Sequence, residues 1–222
     1  MKSLLIIFLA LFSAHFSTVE ARNAQGKIKE GKYISQSPPF SIEIPALTSE
    51  VKTIQKNNEP GMTESIMQDD MGHLFRILIC HSADFGIPAE KHVAFFSDSF
   101  KNVMLPILAE VVPKVSILRE EGLKLDNDQP ALFVLVNFPN GSILQNAKNG
   151  ERFDSVRGFL YFYQNGDLLT LSYQNDLLFR PNSFGIQYMT AEEKESQYRK
   201  ALLTSANSYQ KLPAKKNSTA SR

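Results

Sequence analysis

A single cysteine, Cys80, is all that 222 residues contain, so no intrachain disulfide can form and stability has to come from packing. Neither charge is in excess, with 24 Lys and Arg against 23 Asp and Glu. A surface basic enough to draw nucleic acid or an anionic membrane is therefore not expected. Sequences that announce an enzyme are missing too: there is no G-x-S-x-G elbow, no H-E-x-x-H helix and no glycine-rich phosphate loop. No internal repeat is present. The N-terminal apolar run, Leu4 to Phe12, is too short for a stable bilayer anchor.

What that run does fit is export. Met1-Lys2 supplies a short positive start and Val19-Glu20-Ala21 a small-x-small cleavage site, so residues 1–21 read as a signal peptide and the product as periplasmic or secreted, without a transmembrane anchor. Residues 22–32 follow as a polar segment with no helical period. Residues 33–212 are long enough for one domain with a sizeable core. Residues 213–222, with Lys215, Lys216 and small polar side chains, read as a disordered basic tail.

The most legible stretch is FLYFYQNGDLLTLSY, residues 159–173. Asn165-Gly166 is the dipeptide that best accepts positive φ at both central positions of a type I′ turn, and a two-residue loop fixes the register. Phe162 then faces Leu169 and Leu160 faces Leu171 on one side. On the other, Tyr163 faces Leu168, Tyr161 faces Thr170 and Phe159 faces Ser172. Asp167, beside the turn, reads as a position where truncation costs little. Aromatic and aliphatic residues on both faces call for cover on both. His73 to Ser82 and Ala131 to Phe138 say the same, because a strand with one wet face alternates and these do not. Phe40, Ile42 and Ile44 do alternate, up to Pro45. Val51 to Gln55 and Met62 to Gln68 are weaker strands, and Asp69 to Gly72 a turn into His73.

Two helices are available as cover. The first opens at Pro88, with Val93, Phe96, Phe100, Val103, Met104, Ile107 and Val111 at helical spacing and a kink or break expected at Pro106. The second opens on Thr190-Ala191-Glu192-Glu193, a capping box, and turns Tyr198, Ala201, Leu202, Ser205 and Tyr209 inward. The expected class is α+β: a three-layer α/β/α sandwich, its central mostly antiparallel sheet covered by helices on both faces.

An early GKYISQSPPFSIEIP strand pair, a helix after the first strands, a late Asn-Gly hairpin and a closing amphipathic helix resemble the PsbP-like sandwiches, a family named for the extrinsic protein of photosystem II. The resemblance spans most of residues 31 to 210. It implies a binding or assembly role, since such proteins include accessory subunits, transport cofactors and small bacterial envelope proteins. No family site residue carries over, because no functional motif matches position by position.

Candidate chemistry is sparse. His73 and His81 share a strand face but lie roughly 26 Å apart at strand rise, too far to share a metal. His81, Asp84, Glu90 and His92 surround the strand-to-helix connection, where they are either weak metal candidates or solvated end-of-element residues. Cys80 next to His81 points to the opposite face, so a thiol–imidazole pair would need His92 from the helix; the plainer reading is a small buried hydrophobe. Asn140 and Asn217 open sequons that serve glycosylation only in a eukaryotic source, and the first equally makes a Pro-Asn-Gly turn. Leu177 to Met189, apolar and longer than a simple connection, offers Phe179, Phe184 and Tyr188 as partner contacts or as cover for a sheet edge. The expected function is an exported non-catalytic binding or assembly module of the envelope or secreted fraction. It would need no cofactor and would bind another protein or an envelope component. The alternative is a cysteine- or metal-dependent enzyme using Cys80, His81 and His92.

Overall fold

The computed structural model describes residues 26–45, 51, 53–69, 72–83, 85–142, 144–176 and 190–213. In chain order the strands are β1 (Gly26–Lys29), β2 (Lys32–Gln36), β3 (Pro39–Glu43), β4 (Thr53–Glu59), β5 (Met62–Gln68), β6 (His73–Cys80), β7 (Ser116–Lys124), β8 (Pro130–Phe138), β9 (Ser155–Gln164), β10 (Asp167–Asn175) and β11 (Gln210–Lys211). Helix α1 (His92–Ser99) runs through a π-helical turn, Phe100–Met104, into α2 (Leu105–Val111), and α3 (Ala191–Ser208) closes the fold. The strands make two sheets, β4-β5-β6-β10-β9-β8-β7 and β1-β2-β3-β11, and every pairing within them is antiparallel.

The β9–β10 hairpin has the register that its turn dictates, with Phe162 opposite Leu169 and Leu160 opposite Leu171, and φ is 53° at Asn165 and 79° at Gly166. The same alternation divides the core in two. Phe75, Ile77, Phe133, Leu160, Phe162, Leu169 and Leu171 cluster with Tyr198, Leu202 and Ala206 of α3 and with Tyr33, Phe40 and Ile42 of the small sheet. Leu78, Leu132, Val134, Phe159, Tyr161 and Leu168, of opposite parity, cluster with Phe96, Phe100, Met104 and Leu108 of the first helix. Helix α3 starts on the expected capping box: Glu193 N donates to Thr190 Oγ1 at 3.2 Å and Thr190 N to Glu193 Oε2 at 2.7 Å.

The helix phase departs from expectation, and Pro106 supplies the reason. Proline has no N–H for the Asn102 carbonyl, and its ring crowds that turn. The chain widens into the π-helical turn immediately before it and then resumes as α2. A π turn carries one residue more than an α turn, so the inward stripe slips by one position. Leu108 is 2% exposed and Val111, expected inward, is 61% exposed.

The expected single sheet is in fact two. Strands β2 and β3 bury Tyr33, Phe40 and Ile42 on one face only, which suits a separate sheet lying on the core rather than a strand buried within it. The small sheet also takes in Gly26–Lys29, inside the stretch read as a polar segment. Strand β7 escaped the sequence pattern because it lies at an edge: it carries Arg119, Glu120, Glu121 and Lys124, and its register shifts between Ile117 and Arg119. Among the described residues no helix is long and apolar enough to cross a membrane.

Candidate functional site

Cys80 ends β6 opposite Met62 and Leu168. It is 5% exposed within the second cluster. Burial, and secondarily the charge of Asp167, pushes its thiol up to about 11. Cys80 makes no hydrogen bond to a described histidine. His92 directs Nε2 to the Ile87 carbonyl at 2.8 Å and packs its ring on Tyr163, with centroids 4.6 Å apart, and on Phe96. Since the thiolate is the reactive form, a thiol probe should modify native Cys80 slowly at neutral pH and faster as pH approaches 11. Denaturant at neutral pH should release the normal rate. Rapid reaction of the native protein at pH 7 would contradict this placement.

His73 is fixed structurally. The Asp69 carboxylate accepts the His73 backbone N–H at 2.9 Å and lies 2.6 Å from Nδ1, which closes the turn into β6. Asp84, Phe179, Phe184, Tyr188 and the Asn217 sequon lie outside the described residues. So do the signal segment and almost all of the tail. Glu90 is exposed in the single turn before α1, and the described residues contain no group of three His, Cys, Asp or Glu side chains able to hold a metal. Asn140 occupies a turn with φ of 55°, closed by Gly141 N donating to Phe138 O at 3.0 Å.

Two polar assemblies on the large sheet bear on a site. One is buried. Arg157 reaches the Gln174 carbonyl oxygen from Nε and Nη2, at 3.2 and 2.7 Å, and lies 5.0 Å from the centre of the Phe138 ring. The Gln174 amide donates to Asp176 Oδ1 at 2.7 Å, and the Ser142 hydroxyl donates to Oδ2. Gln174 thus spans a cation and an anion. Burial pushes the Arg157 guanidinium down to about 10, neighbouring Arg76 adds to the effect, and Asp176 opposes it. Arg76 is itself paired with Glu64. Gly72 makes this packing possible: its φ is 92°, and a Cβ there would meet the Asp176 side chain at 3.1 Å.

The other assembly surrounds His81. Its Nε2 is 2.9 Å from Thr63 Oγ1 and its Nδ1 is 3.7 Å from Asp167 Oδ2. Asp167, expected to be dispensable beside its turn, is 3% exposed. It accepts the Ser82 N–H at 3.2 Å and pairs with Lys211 Nζ at 2.8 Å. Lys211 comes from the small sheet and also donates to the Asn165 carbonyl at 3.0 Å. Thr63 and His81 line a cleft of about 310 Å³ with Asn58, Glu59 and Met62 from the large sheet and Ser37 and Pro38 from the small one. A larger groove, about 530 Å³, runs along α3 with Arg199 and Lys200 in its lining, and Arg199 is held by Glu121 and Glu195, both at 2.6 Å.

Of the described residues singled out by sequence, His81 alone meets other polar groups at a cleft, and its partners are not those expected. Thr63 was within reach of sequence reasoning. A turn at Asp69 to Gly72 pairs β5 with β6 so that Thr63 lies opposite Ile79, one diagonal step from His81. Nothing local marks Asp167 or Lys211.

No family model matches the chain, and no curated protein does. Among solved structures it is similar to the solution structure of cyanobacterial PsbP from Synechocystis sp. PCC 6803, at 11% identity over 88% of this chain and 98% of that one, with a TM-score of 0.40. It is also similar to a Pseudomonas aeruginosa protein of unknown function, at 12% identity over 74% of this chain and 88% of that one, with a TM-score of 0.33. The PsbP-like resemblance read from the sequence has its counterpart in the first of these.

Proposed function

We propose that the chain is an exported binding or assembly module that acts through Phe179, Phe184 and Tyr188 on another protein or an envelope component. The supporting observation is how firmly both ends of the Leu177–Met189 segment are held. On one side Asp176 is buried and fixed by Ser142 and Gln174. On the other, Thr190 is locked in a reciprocal cap. A long apolar, aromatic connection strung between two rigid posts suits a contact surface. The two core clusters support reading the framework as an α/β/α sandwich with one helix layer per face. Cys80, sealed in the core, is poorly placed to be a nucleophile.

Two measurements test this reading. Photo-crosslinking residues placed at 179, 184 and 188 in the native host should each capture the same partner from the exported fraction, while one at exposed Asn102 captures none. Capture from Asn102 alone, or from none of the four, contradicts the reading. N-terminal sequencing of the exported protein should begin near Arg22; Met1 or Lys2 on soluble cytoplasmic protein would refute export.

A further inference from the structure

We infer that the cleft between the two sheets is a nucleophilic site, in which the Thr63 hydroxyl takes an acyl group from a small carboxylic ester. The inference stands apart from the binding role, since it uses no residue of the Leu177–Met189 segment.

Thr63, His81 and Asp167 have the parity of the first core cluster and meet at one end of the large sheet. The order of their polar atoms matters. A hydroxyl lies 2.9 Å from Nε2 of the imidazole, and a carboxylate lies 3.7 Å from Nδ1. In that order the imidazole can take the hydroxyl proton at Nε2 while the carboxylate favours the Nδ1–H tautomer and steadies the imidazolium that forms. The long Nδ1 separation is of the kind that tightens when substrate binds. Asp167 is kept in place by Ser82 N–H and by Lys211, so the closing strand β11 completes the site. The arrangement opens on a cleft, and Asn58 on the same wall carries an amide that can donate to a developing oxyanion. About 310 Å³ is at the small end of ligand sites, and Thr63 is β-branched and 3% exposed. An unhindered acyl group such as acetyl suits those limits.

In the first step Thr63 Oγ bonds to the ester carbonyl carbon as its proton passes to His81 Nε2. The tetrahedral adduct collapses, the bond to the alcohol oxygen breaks, and His81 returns the proton to the leaving alkoxide. Thr63 is left as an ester. Water, deprotonated by His81, attacks that ester and releases the acid and the free hydroxyl.

The test uses the full chain, a small alkyl fluorophosphonate and p-nitrophenyl acetate, with intact-mass and peptide-mapping readouts. One adduct on Thr63 is expected. Thr63→Ser keeps it, Thr63→Val loses it, and His81→Gln slows it about 100-fold or more, the usual contribution of a general base. Wild-type protein without an adduct on Thr63, or with comparable labelling at other hydroxyls, overturns the proposal. So does a folded His81→Gln protein that labels at the wild-type rate. Because the unmodified protein decides the first outcome, a variant that fails to fold leaves the proposal open to refutation.

Discussion

Leu169→Ala is expected to lower the free energy of unfolding by roughly 2–5 kcal/mol, the range for truncating a buried leucine. Leu169 is fully buried at the centre of the large sheet, between Ile79 on β6 and Phe162 on β9. It belongs to the cluster shared by α3 and the small sheet, so a cavity there is walled by both sheets and by a helix, and collapse around it is restricted. Urea titration supplies the measurement, with Lys200→Ala on the exposed face of α3 as a control expected to stay within about 0.5 kcal/mol. Equal and small shifts in the two midpoints would mean that the hairpin is not packed against that cluster.

The second large effect is electrostatic. Asp176→Asn preserves shape and leaves partners for Gln174 and Ser142, but it removes the negative charge that Arg157 faces through Gln174. The charge acts across the intervening Gln174 amide on a half-buried cation, and at an effective dielectric of about 20 its loss is expected to cost roughly 2 kcal/mol. Adding Arg157→Leu to the same protein removes the stranded charge and should recover much of the loss, so the double variant is expected to be more stable than Asp176→Asn alone. Additive losses in this cycle would show that the two charges are not coupled.

Local patterns made much of the framework legible. Asn165-Gly166 set the register of β9 and β10 because a two-residue turn leaves no slack, and Thr190 with Glu193 marked the start of α3 because a reciprocal cap needs only neighbours. The capped stripe was right at Tyr198, Leu202 and Ser205, while Ala206 replaced Ala201 as fully buried. The first helix went out of phase at a π turn that hydrophobic spacing does not encode. Strand β7 was missed because an edge strand needs charge more than it needs alternation. At the site, His81 was visible as a residue type, but its carboxylate and the lysine holding that carboxylate arrive from β10 and β11. Asp167 looked exposed because the turn beside it is exposed; long-range pairing with Ser82 and Lys211 buries it.

The strand order has a consequence for how quickly the molecule assembles. Strands β4 to β6 and β7 to β10 are each laid down in chain order, so both runs form by joining sequence neighbours, the longest connection being that from Phe138 to Ser155. Their union depends on β6 meeting β10, which pairs residues as distant in sequence as Phe75 and Tyr173. Contacts of that span carry the loop-closure entropy of everything between them, so the seam is expected to be slow and to follow the local meanders. Until it closes, β6 and β10 are open edges rich in apolar residues, with Arg76 and Asp167 as their single charges against the four that β7 carries. The hazard of mispairing is therefore concentrated at the middle of the finished sheet rather than at its rim.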